Sequence, residues 1–248
     1  MGTNASLGDA TSGSGSYAEH EANRLRNLGF RGTPAQRVQY FDDFVSFADE
    51  EWAIVQDGTV VAVTSDQLGG WVGIITGTSD THESYYSSLS EAFIFNTTDK
   101  VFFETRVKNT AVGDAGDAGF VVGLSDTVAA NTIVDAGTLA TSLDGAVFIL
   151  EEEAEVAFIT SNASSQSRTA AAYDWTRGDT VKLGFVYLPN DGTTAKVVPI
   201  VNGVAGTAHD LTISGLEEMH LLLGVKAHSA NAQTLEVDWV QVVQETNR

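Results

Sequence analysis

No cysteine occurs among the 248 residues, so neither a disulfide framework nor thiolate chemistry is available. That removes disulfide-stapled secreted modules from consideration without fixing a compartment. No apolar run is long enough to span a bilayer. No basic stretch followed by an apolar core opens the chain, so no secretory signal is expected. Positive charge is scarce: 13 lysines and arginines stand against 33 aspartates and glutamates, a formal net charge of -20. Such a chain repels nucleic-acid phosphates, so direct nucleic-acid binding is not expected.

The basic residues that do occur are unevenly placed. Residues 17–37 carry Arg24, Arg26, Arg31 and Arg37 against Glu19 and Glu21, whereas the body from Val38 onward is strongly acidic. This asymmetry predicts an arm that meets a partner and a body that faces solvent. Residues 1–16 are rich in Gly, Ser, Thr and Ala and are read as a flexible tail. Ser16 and Glu19 form a Ser-x-x-Glu capping box, and Gly29 is a helix stop, which predicts one short helix over residues 16–29. A helix of about 12 residues is marginal alone in water and needs a surface to pack on. Pro34 prevents its simple continuation.

From Val38 the pattern becomes that of strands. Residues 52–56 and 59–63 flank Asp57-Gly58, a hairpin signal, and Asn202-Gly203 is another. Further strands are expected over 71–75, 100–108, 120–124, 146–150, 154–160, 181–188, 195–201, 221–227 and 235–243. About a dozen short strands with Gly, Asp and Asn turns predict an all-β, two-sheet jelly roll over residues 38–248, with a short N-terminal helical arm.

Several segments carry a resemblance to a known class. They are Lys100-Val101-Phe102-Phe103-Glu104-Thr105-Arg106-Val107, Gly119-Phe120-Val121-Val122-Gly123-Leu124, Gly178-Asp179-Thr180-Val181-Lys182-Leu183-Gly184-Phe185 and the terminal Leu235-Glu236-Val237-Asp238-Trp239-Val240. Over roughly residues 38–244 the chain resembles the concanavalin A-like sandwiches, and more narrowly those that decorate the capsids of tailed bacteriophages. The resemblance implies a structural virion protein on the outer surface of the capsid. It would hold the major capsid protein non-covalently as a homo-oligomer, with a trimer expected. The arm supplies the candidate contacts: Arg24, Arg26, Arg31 and Arg37 for carboxylates, and Leu25, Leu28 and Phe30 for apolar pockets.

Two other classes are weighed beside it. Retaining β-glucanases of the concanavalin A-like class place Glu-x-Asp-x-(x)-Glu on one face of a strand, with two carboxyls about 5–5.5 Å apart as nucleophile and acid/base. Glu236 and Asp238 match, but Gln241 stands third, and an amide cannot exchange a proton with a leaving sugar. No catalysis is expected, and the two carboxylates are read as solvent-facing while Leu235, Val237 and Trp239 pack inward. A carbohydrate-binding module, gripping host glycans, is the alternative. Its aromatic candidates are Tyr85 and Tyr86, read as exposed in a polar loop, since Trp52, Trp71, Trp175 and Trp239 sit in strand patterns that usually pack inward.

No metal or cofactor site is expected. His20, His82, His209, His220 and His228 lack the spacing of ligand motifs. The Asp residues of the 113–119 segment suit a Gly/Asp turn better than a calcium loop, and the acidic run at 151–155 suits a solvated hairpin tip.

Overall fold

The computed structural model describes residues 37–45, 47, 52–56, 60–64, 70–110, 118–134, 138–140, 143–150, 155–162, 165–176, 178–228 and 230–246. The expected helix, and with it Arg24, Leu25, Arg26, Leu28, Phe30 and Arg31, lies outside them. So do most of the 113–119 segment and residues 151–154.

Nineteen strands make up the described chain. The first six are β1 (Arg37–Asp42), β2 (Trp52–Gln56), β3 (Val60–Thr64), β4 (Trp71–Ile75), β5 (Glu83–Ser88) and β6 (Phe93–Ile94). Then come β7 (Val101–Asn109), β8 (Ala118–Ser125), β9 (Ile133–Val134), β10 (Thr138–Leu139), β11 (Gly145–Leu150) and β12 (Glu155–Asn162). The last seven are β13 (Ser165–Asp174), β14 (Thr180–Pro189), β15 (Thr194–Val201), β16 (Val204–Ala205), β17 (His209–Thr212), β18 (Glu218–Ala227) and β19 (Thr234–Glu245).

Two large antiparallel sheets face each other. One has nine strands in the order β16-β15-β14-β7-β19-β4-β3, with β1 added along β19 and β17 along β15. The other has eight, β13-β12-β11-β8-β18-β5-β2, with β6 on β18. The β9–β10 hairpin forms a separate two-stranded piece.

Alternation along the strands builds the core between the sheets. On β7, Val101, Phe103 and Val107 point inward, while Glu104, Arg106 and Lys108 take the opposite face. Phe103, Phe158, Phe185 and Phe148 meet there as an aromatic stack, with Phe103 and Phe185 ring centroids 5.2 Å apart. β11 departs from alternation, and all six of its residues are buried. The reason lies on its other side. Val147 and Ile149 join Tyr85, Val121, Ile159 and Leu222 in a second apolar layer, closed over by Ile133, Leu139 and Leu143. A strand buried on both faces needs a continuous apolar run, which Ala146-Val147-Phe148-Ile149-Leu150 supplies.

That second layer is pinned by a buried polar network. Lys226 is fully buried and donates from Nζ to the Ile133 carbonyl (2.9 Å) and to Asn131 Oδ1 (3.2 Å), with Glu83 Oε2 at 3.9 Å. Glu83 accepts from the Asn131 N–H at 2.8 and 3.0 Å and from the Tyr85 hydroxyl at 3.0 Å. The same hydroxyl accepts from the Ile133 N–H at 3.0 Å. Burial, with the Glu83 charge beside it, pushes the Tyr85 hydroxyl far above the ordinary phenol range, so it stays protonated and serves as donor.

Candidate functional site

The carboxylates of the last strand are placed differently from the sequence expectation. Glu236 and Asp238 are buried, at 7% and 8% exposure, rather than solvent-facing. Asp238 lies 2.5 Å from Arg106 Nη1, and Glu236 lies 3.4 Å from Lys108 Nζ while accepting from the Thr110 hydroxyl at 3.1 Å. The register of β19 against β7 shifts between Val237 and Trp239. One extra residue at a bulge flips the faces beyond it. Leu235 and Val237 therefore point into the core as expected, but Trp239 pairs with Arg106 and turns outward, half-buried. Gln241, directly opposite Glu104, is also on the outward face. Each acid is thus held by a cation of β7.

Tyr85 and Tyr86 are corrected as well. They lie in β5, not in a loop, at 0% and 2% exposure. Tyr85 belongs to the buried network, and its ring lies over Gly224, its cross-strand partner. Tyr86 packs edge-on against Trp52 and Phe47 in the core. Neither ring is available to stack on a sugar. The Glu-Ser-Tyr-Tyr-Ser-Ser sequence reads as a polar loop, yet Glu83 and the Tyr85 hydroxyl accept from the Asn131 and Ile133 N–H groups, each 48 residues away.

Trp52, Trp71 and Trp175 are buried as expected, and Arg106 sits over the Trp71 ring at 5.4 Å. His220 donates from Nδ1 to the Ser88 carbonyl (2.8 Å). Among the described residues, no three His, Asp or Glu side chains converge as metal ligands.

Two cavities lie on one flank of the sandwich, where β13, the edge of the eight-stranded sheet, faces β15 to β17 of the other. One cavity, about 300 Å³, is lined by Thr160, Asn162, Ser165, Ser167, Asp210 and Thr212 among others. Almost every lining group is a hydroxyl, an amide or a carboxylate. Asn162 is fixed by donating from Nδ2 to the carbonyls of Thr212 (2.6 Å) and Ser214 (3.1 Å). Asp210 is salt-bridged to Lys196 at 2.5 Å. A second cavity, about 350 Å³, is more apolar and is lined by Thr169, Tyr173, Pro199, Val201, Asn202 and Val204 among others. Both fall at the small end of ligand-pocket sizes.

His209 joins the two cavities. Its Nδ1 is 3.0 Å from the hydroxyl of Thr160, which lines the first, and its Nε2 is 2.8 Å from that of Thr169, which lines the second. Desolvation lowers the pKa of the imidazole, so the ring is neutral at pH 7 and one nitrogen donates while the other accepts. The ring therefore fixes both hydroxyl orientations and ties β17 to β12 and β13. Tyr173 is half-buried, held edge-on to Trp175 with centroids 6.2 Å apart.

No family model matches the sequence, and no curated protein matches it. Solved structures do. A Shewanella oneidensis MR-1 protein of unknown function superposes with a TM-score of 0.58 at 13% identity, covering 91% of this chain and 94% of that one. An endo-1,3-beta-glucanase from Streptomyces sioyaensis gives 0.56 at 11% identity, covering 88% and 99%. Peanut lectin gives 0.55 at 14% identity, covering 84% and 97%.

The chain has the concanavalin A-like fold.

The likeness runs over nearly the whole of the lectin and of the glucanase. At these identities the likeness concerns the fold, and fold alone does not carry an activity.

Proposed function

We propose that this concanavalin A-like sandwich is a non-catalytic carbohydrate-binding module whose sugar site is the flank between β13 and β15–β17. The observation that carries the reading is the pair of cavities joined through Thr160, His209 and Thr169. A sugar presents a dense ring of hydroxyls on one side and an apolar C–H face on the other. The first cavity offers hydroxyl and amide partners for the former, and the Tyr173 ring of the second suits the latter. Lectins among the fold neighbours support the reading by analogy. The cation-held state of Glu236 and Asp238, and the amide at Gln241, favour binding over hydrolysis.

The test is a glycan panel probed with the full chain. Saturable binding to at least one class of glycan is expected, weakened about tenfold or more by Tyr173→Ala and again by Asn162→Ala. Binding that survives both changes would remove the flank as the site.

A second reading is kept because of where the arm joins. β1 pairs with β19 from Arg37 opposite Glu245 to Asp42 opposite Val240, so the basic segment is anchored to the sandwich by a full strand. Phe41 and Val45, close to that root, are exposed at 39% and 72%. Such a root suits a capsid decoration protein, gathered as a homo-oligomer on the virion surface against the major capsid protein. The full chain should then bind undecorated tailed-phage capsids saturably, and failure to bind capsids of its own source would discard this role. The two readings are compatible, since a virion-displayed sandwich can also grip host glycans.

A further inference from the structure

The imidazole of His209 stands between the two cavities of the flank, and both of its nitrogens are engaged. Nδ1 lies 3.0 Å from the Thr160 hydroxyl on β12, and Nε2 lies 2.8 Å from the Thr169 hydroxyl on β13. The ring is buried, with Phe158 packed against it at 5.0 Å between centroids. Among the described residues, neither threonine hydroxyl makes another hydrogen bond. A hydroxyl has one proton and two lone pairs, so each keeps unspent capacity beside the cavity that its residue lines.

The ring decides what that capacity is. A neutral imidazole donates from one nitrogen and accepts at the other. The threonine that receives the ring's proton keeps its own proton to give. The threonine that donates to the ring has only lone pairs left. We infer that His209 is the specificity-determining residue of the flank, giving its two cavities opposite hydrogen-bond polarity. With the flank read as a carbohydrate site, on which this role rests, a glycan seated across both cavities must accept a hydrogen bond at one threonine and donate one at the other. A neutral sugar meets both demands: its ring and glycosidic oxygens accept, and its hydroxyls donate. Moving the ring proton to the other nitrogen reverses both polarities together, so the occupant of one cavity dictates what the other can take.

Protonation abolishes this arrangement. An imidazolium donates from both nitrogens, and both threonines then present protons. The charged side chains on the strands packed against the ring face away from it. Asp210, next along β17, pairs with Lys196, its cross-strand partner on β15, whereas His209 is opposite Val197 of the core. Arg168 of β13 is registered with Ile159 of the second apolar layer, and Glu155 and Asp174 meet at the far end of β12 and β13. Burial accordingly holds the ring below its ordinary pKa range. A glycan over the flank removes more water, so the bound ring resists protonation more than the free ring. By linkage, affinity is full while the ring is neutral and falls as the pH drops through the free ring's titration.

The wild-type chain, His209→Asn and His209→Gln are titrated with a panel of neutral oligosaccharides at about pH 7.5 and about pH 5, on either side of an ordinary imidazole. The Asn amide replaces Nδ1 and the Gln amide replaces Nε2, so each variant keeps one threonine bond and neither titrates. Wild-type affinity should fall about tenfold or more in acid, with a midpoint matching the ring titration read from the imidazole nitrogen NMR shifts, while each variant binds equally at both pH values. In the wild-type complex one ring nitrogen should be protonated and the other bare. A doubly protonated ring there would overturn the opposite polarity. Wild-type binding indifferent to acid, or a fall shared by both variants, would overturn the role of His209 and leave the flank as a sugar site. No wild-type binding to any panel member at either pH would remove the carbohydrate reading and this role with it. The nitrogen shifts and the midpoint need only the wild type, so they decide the matter even where a variant fails to fold.

Discussion

Replacing Lys226 by methionine should lower the free energy of unfolding by about 3–5 kcal/mol, read from the midpoint of chemical denaturation. The side chain is fully buried, and its loss strands several groups together. Glu83 keeps a charge at 5% exposure without its cation, and the Ile133 carbonyl and Asn131 amide lose their donor. The cost arises mostly from leaving these partners unsatisfied and much less from the ion pair itself, whose closest approach is 3.9 Å. The double change Lys226→Met/Glu83→Gln should therefore be less damaging than Lys226→Met alone, because the orphaned charge is gone. A single-variant loss below about 0.5 kcal/mol, the range of ordinary surface changes, would show that the network does not pin the 126–144 segment to the sheet.

The second large effect is expected at Gly224. Tyr85 is its cross-strand partner, and a Cβ at Gly224 would fall 2.1 Å from Tyr85 Cδ1. The ring cannot swing aside without cost, because its hydroxyl is bonded to Glu83 and to the Ile133 N–H. Gly224→Ala should cost about 2–4 kcal/mol, an overpacking penalty plus a lost buried hydrogen bond. Gly224→Ala combined with Tyr85→Ala removes the clash, so the pair should be strongly non-additive in thermal or denaturant unfolding. Additive losses would mean that the ring does not cover this glycine.

Much of the sandwich is legible in the sequence, and the reason is alternation. β7, β14 and β18 carry period-two or continuous apolar runs bounded by Gly, Asp and Asn, and their positions follow from that alone. β5 and β13 are not legible in this way. Glu-Ser-Tyr-Tyr-Ser-Ser hides a buried strand because Glu83 and the Tyr85 hydroxyl bond to Asn131 and Ile133, far along the chain. Ser-Gln-Ser-Arg-Thr-Ala-Ala-Ala-Tyr-Asp lacks apolar alternation because β13 is an edge strand with much of its length exposed.

The last strand shows a different limit. Its composition is clear, but the register shift after Val237 is set by pairing with β7, so period-two counting sends Trp239 to the wrong face. The flank escapes sequence reading for a related reason. His209 is 49 residues from Thr160 and 40 from Thr169, and it meets them only because β17 returns along β15 beside β12 and β13. The one local hint is a serine- and threonine-rich edge ending in Tyr173 and Trp175. The exclusion of acid–base chemistry at Gln241 needed no structure, since it rests on the chemistry of an amide.

The most direct test of the flank as a sugar site is a backbone-amide NMR titration of the full chain with the oligosaccharides that score on a glycan panel. The account predicts saturable shifts concentrated at Thr160, Asn162, Thr169, Tyr173 and Asn202, with β5 and the outward face of β19 unmoved. Shifts centred on Trp239, Glu236 and Asp238 with a quiet flank, or no shifts with any glycan, would contradict it.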